Sequence, residues 1–134
     1  VRRDADTTAF RGACLEAARG LGARVETPDL PFMSSFHAVT ITGRGAARTV
    51  LRHADRPLVA FTLAPPVPGP PVSGFVDPPA WAAVFEAIGL RSLSVRELGT
   101  PLSQVDEREL AEAADDIRYW RPEVLSDLLF NWWD

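Results

Sequence analysis

An α+β fold is the class this sequence predicts, and three observations carry it. The chain opens on an apolar stripe at helical spacing. Runs rich in valine, isoleucine, threonine and phenylalanine follow between 36 and 64, and helical spacing returns in the last third. With 134 residues, 46% of them hydrophobic and 24% charged, the chain can bury roughly 70% of the surface it exposes when unfolded. One globular domain over 1–134 is expected, with an antiparallel meander of three to five strands, an N-terminal helix, a central helix and two C-terminal helices packed on one sheet face.

Phe10, Ala13, Cys14, Ala17 and Leu21 recur on one helical face. Asp6 or Thr7 is placed to cap that helix, and Gly20 and Gly22 to stop it. Cys14, the sole cysteine, falls on the apolar stripe and reads as a small buried thiol. A lone cysteine allows no intramolecular disulfide, and no apolar export signal follows Arg2 and Arg3, so a reducing, cytoplasmic setting is expected.

The runs "FHAVTIT" (36–42), "ARTVLRHA" (47–54) and "PLVAFTLA" (57–64) read as the meander, with "ARVET" (23–27) as a further short strand. "GRGAAR" departs from a dinucleotide fingerprint, having Arg48 where the third glycine belongs and joining two strands. It reads as a hairpin turn. Register follows from the buried face, since a slip of one residue turns every side chain over. Setting Val39 opposite Leu51, and Leu51 opposite Phe61, gathers Val39, Ile41, Leu51, Val59, Phe61 and Leu63 on one core face and leaves the other mostly wet.

Seven prolines between Pro65 and Pro79 make 65–79 a stiff connector, extended and unfit for a central strand. A helix starting at Pro78 or Pro79 carries Trp81, Val84, Phe85 and Ile88 before Gly89 ends it. "RSLSVREL" (91–98) alternates and reads as one more strand. Asp106 and Glu109 then form an aspartate variant of the capping box, with Leu110, Ala113, Ala114 and Ile117 facing inward. Glu109, Glu112, Asp115 and Asp116 share the outer face. Such a face is commonly just solvated, and it also suits a basic partner.

The chain closes on "RYWRPEVLSDLLFNWWD", which holds three of the four tryptophans. Pro122 should force a bend and begin a last helix. On that helix Leu125, Leu128 and Trp132 occupy the centre of the apolar arc and are expected in the core. Phe130 and Trp133 fall at or beyond its edges and are expected to meet a partner or a second subunit.

All fourteen basic residues are arginine, they are scattered, and the net charge is −4. The basic face a nucleic-acid binder needs is missing, and no stretch has the length of a membrane span. No nucleophile elbow, phosphate loop, zinc-protease helix or paired-cysteine motif is present, and no cofactor or metal is expected. One constellation bears chemistry. The register above sets His37 across from His53, near enough to share a proton or a metal, with Asp55 or Glu26 as an accessory carboxylate.

Two functions are therefore expected from different classes. The first is a small cytoplasmic protein-binding module, an adaptor, inhibitor or immunity-type protein that meets a basic protein. The alternative is a small enzyme using His37 and His53 with Asp55, in acid–base or metal-assisted chemistry. A homodimer through the C-terminal helices is a third reading.

Overall fold

The computed structural model describes residues 2–27, 34–43, 46–112, 114, 117–118 and 121–132. Helix α1 (Arg2–Leu21) leads into β1 (Arg24–Glu26), β2 (Phe36–Gly43), β3 (Ala46–His53) and β4 (Leu58–Thr62). These four strands form the antiparallel meander. β5 (Phe75–Val76) then pairs antiparallel with the end of β4, and β6 (Arg91–Ser92) pairs parallel with its beginning. Between them a 3-10 turn, Ala80–Ala82, runs into α2 (Ala83–Glu86), and after β6 come α3 (Val95–Leu98), α4 (Glu107–Glu112) and α5 (Leu125–Leu129). The class is α+β, as expected.

Of the glycines expected to stop α1, Gly20 lies inside the helix and Gly22 follows its end. Gly22 (φ 64°) and Gly89 (φ 88°) take the left-handed conformation that ends α1 and α2. At each end an amide reaches back five residues, Ala23 to the Ala18 carbonyl and Leu90 to the Phe85 carbonyl. β2 and β3 pair as far as Gly43 and Ala46, so the "GRGA" stretch is a hairpin connection, with Arg44 and Gly45 themselves outside the described residues.

The strand register differs by one residue from the expected one. Val39 pairs with Val50 and Ala38 with Leu51, while Leu51 faces Ala60 and Val50 faces Phe61. The physical reason is that the sheet is buried on both faces. α1 and α2 cover one, where Phe10, Cys14, Val39, Val50, Phe61 and Phe85 are all buried. The other face is covered by the C-terminal elements, and there Phe36, Leu51, Ala60, Leu93, Leu125 and Phe130 are buried together. Every residue of β4 is buried, and such a strand shows a continuous apolar run in place of alternation. Alternation cannot then choose between Val50 and Leu51. Leu63, expected in the core, is 53% exposed.

Two further expectations change. In 91–98 only Arg91–Ser92 is strand; Val95–Leu98 is helical because Ser94 and Glu97 make a capping box. Ser94 Oγ accepts from the Glu97 amide at 3.1 Å, and Glu97 accepts from the Ser94 amide at 3.2 Å. The last helix stops at Leu129, with Phe130 extended (φ −120°, ψ 97°). Once the helix has ended, helical angles no longer say where Phe130 points.

The proline-rich connector carries more structure than a spacer. It holds β5 at its far end, Val72 is buried, and the Pro70 carbonyl accepts the Trp132 indole N–H at 2.9 Å. Prolines lack the donor for an interior strand but keep a carbonyl acceptor. Here that acceptor helps to fix the end of the chain.

Candidate functional site

The histidine pair separates under the observed register. His37 lies opposite Arg52, and His53 lies opposite Phe36. Directly paired residues share a face and neighbours along a strand alternate, so the two imidazoles stand on opposite faces of the sheet. His37 is on the α1 side, with Nε2 3.4 Å from Thr7 Oγ1. His53 is on the other, its ring edge-on to Phe130 at 6.2 Å between centroids.

His53 is held by its own turn. Its Nδ1 accepts the backbone N–H of Asp55 at 3.1 Å and of Arg56 at 3.0 Å, which requires that nitrogen to be unprotonated. The buried Arg52 guanidinium donates from Nη1 to the carbonyls of His53 and Arg56 in the same turn. These groups shape the link between β3 and β4. Asp55 meets His53 through its backbone, and Glu26 is exposed, 3.9 Å from Arg24. Among the described residues no group of three or more His, Cys, Asp or Glu is placed to hold a metal ion.

Cys14 is buried against the sheet, and burial alone pushes its thiol up to about 12. It therefore stays protonated across the physiological range, without the thiolate a nucleophile needs. Among the described residues no helix is long and apolar enough to cross a membrane.

The expected partner surface divides. Phe130 is 1% exposed, packed against Phe36 and Phe75 at 6.0 Å each, so it lies in the core and not at the edge of a helical arc. Trp132 is half-buried, 5.2 Å from Phe36. Trp133, Asp115 and Asp116 lie outside the described residues. Glu109 and Glu112 are in α4, their side chains also outside the description. Asp106, Glu107 and Glu123 are exposed.

Charge along the chain is more uneven than four carboxylates on one helix face would make it. Eight of the eighteen carboxylates, but only three of the fourteen arginines, lie from Asp106 to Asp127. That segment carries a formal −5 and the rest of the chain +1. Beside it opens a cleft of about 470 Å³, walled by Pro71, Pro122, Phe130 and Trp132, with Arg121, Glu123, Asp127 and Asn131 also in its lining. Arg121 sits at φ 53°, the only non-glycine with positive φ among the described residues. Asp127 Oδ2 accepts the amides of Glu123 and Val124, at 3.2 and 3.4 Å, which fixes the entry to α5.

No protein-family model, no curated protein and no solved structure matches this chain.

Proposed function

We propose that this chain is a protein-binding module whose acidic C-terminal segment engages a basic protein. The segregation of charge is the observation that carries the reading, with −5 concentrated between Asp106 and Asp127 in a chain of net −4. A surface of one sign steers an opposite partner and rejects like-charged ones. An inhibitor or immunity-type role fits this arrangement, because proteins that handle nucleic acid need a basic face and an acidic module can cover it. A cytoplasmic setting belongs to the same proposal, supported by a single cysteine that is a buried thiol.

The test is capture from native lysate on the immobilised protein at about 0.1 M salt, followed by elution toward about 1 M, which shortens the screening length from about 10 Å to about 3 Å. A stoichiometric basic protein released by salt is the expected result. Retention of only acidic or neutral proteins, or release insensitive to salt, would overturn the reading.

A further inference from the structure

We infer that the cleft between the proline-rich connector and the C-terminal segment receives an arginine side chain of the basic partner. The inference rests on the reading above and specifies its chemistry. Pro71, Pro122 and Trp132 supply flat apolar walls, and Glu123 and Asp127 supply carboxylates in the same lining. A guanidinium is planar, stacks on aromatic faces and carries five donors in a fixed fork, so it suits a site combining an indole with acceptors.

Asn131 is a second, independent pointer to a donor. It lines the cleft and is 6% exposed. Its Nδ2 donates to the carbonyls of Asp127 at 3.1 Å and Leu128 at 2.9 Å, which fixes the amide's orientation, while Oδ1 has no hydrogen-bond partner among the described residues. A buried acceptor without a donor is uncommon, and here it belongs to a side chain in the lining of the cleft. The indole is also held in place beforehand, by its bond to the Pro70 carbonyl and by Phe36. Arg121 opposes the occupant by like charge. It offsets one of the two carboxylates, so the two signs can be tested separately.

The experiment titrates N-acetyl-arginine amide into the intact protein and follows the Trp132 indole N–H by NMR, the signal being assigned by its loss in Trp132→Phe. A saturable shift is expected, with N-acetyl-norleucine amide giving none at equal concentration. Glu123→Gln should weaken the response several-fold and Arg121→Gln should strengthen it. Equal responses to the arginine and norleucine amides, an equal response to N-acetyl-lysine amide, or Glu123→Gln and Arg121→Gln acting in the same direction would overturn the assignment. If lysate capture yields a salt-released basic protein while the cleft does not respond, this inference falls and the broader reading stands. A cleft that responds in a protein capturing no such partner would support the arginine chemistry and overturn the broader reading.

Discussion

Ser35 and Asn131, 96 positions apart, close on each other through two hydrogen bonds. The Ser35 amide donates to the Asn131 carbonyl at 3.0 Å, and the Asn131 amide donates to Ser35 Oγ at 2.9 Å. Ser35 Oγ in turn donates to the Leu129 carbonyl at 2.8 Å. The backbone freed where α5 ends is thus satisfied by the residue that leads into β2. This knot keeps the C-terminal wall of the cleft against the sheet.

Ser35→Ala should accordingly destabilise the fold by about 1–3 kcal/mol, because the buried Asn131 amide and Leu129 carbonyl lose a partner together. Denaturant melts measure the loss. Hydrogen exchange should rise first at 129–131, where the bonds were, and a uniform rise across the chain would contradict a local role.

Phe130→Ala should cost about 3–5 kcal/mol, as removal of a fully buried aromatic does. Trp132→Ala should cost less, since that side chain is only partly buried. Chemical denaturation of both variants ranks them. A larger loss at Trp132 would mean that a continuous helical arc describes the tail better than the extended backbone at Phe130.

Acid should loosen α3. The Arg91 guanidinium, 2.5 Å from Glu97, holds the Glu97 carboxyl below its usual value near 4.5, with the Ser94 amide assisting and partial burial opposing. A folded-state pKa below the unfolded one gives stability that is present above the unfolded value and is lost as pH falls through the lowered one. Wild type should therefore lose more stability than Glu97→Gln as pH drops below about 4.5, the normal glutamate range. Parallel melting curves over that interval would contradict the Arg91 contact.

Alkali should act through Cys14. The folded thiol ionises near 12 while the unfolded thiol ionises near 9, so this group's contribution is complete below 9 and fades as pH rises toward 12. The slope is about 1.4 kcal/mol per pH unit. Cys14→Ala should lack that slope, and at about pH 8, below the ordinary thiol pKa, a thiol reagent should label native Cys14 only as fast as the protein opens. Rapid labelling of the native state would place the thiol nearer solvent than the sheet-facing side of α1.

Much of the fold is legible in the sequence because its signals are local. The glycines after α1 and α2, the prolines of the connector and the apolar stripe of α1 each act within a few residues of chain. Register is not local. With both sheet faces covered, Val50 and Leu51 are each apolar and buried, and nothing in the pattern of β3 decides which one faces α1. The expected pairing of His37 with His53 inherits that ambiguity.

Within 91–98 the decisive signal is present but masked. Ser94 followed by Glu97 is a helix-start signature, and alternation at Leu93 and Val95 obscures it. The cleft cannot be read from the sequence at all, since it joins Pro71 to Trp132 across 61 positions. The acidic segment can, by weighing carboxylates against arginines along the chain in place of scanning one helix face.

Recognition of a basic protein by the acidic segment is probed most sharply by comparing the wild type with a variant in which Glu109, Glu112, Asp115 and Asp116 become Gln or Asn. Affinity for the captured basic partner is measured for both at low salt, with the melting temperature recorded as a control for folding. The variant should remain folded while its affinity falls by about tenfold or more, since 1.4 kcal/mol lost across four charges suffices for that. An unchanged affinity in a folded variant would show that these carboxylates take no part in binding and would contradict the proposed function.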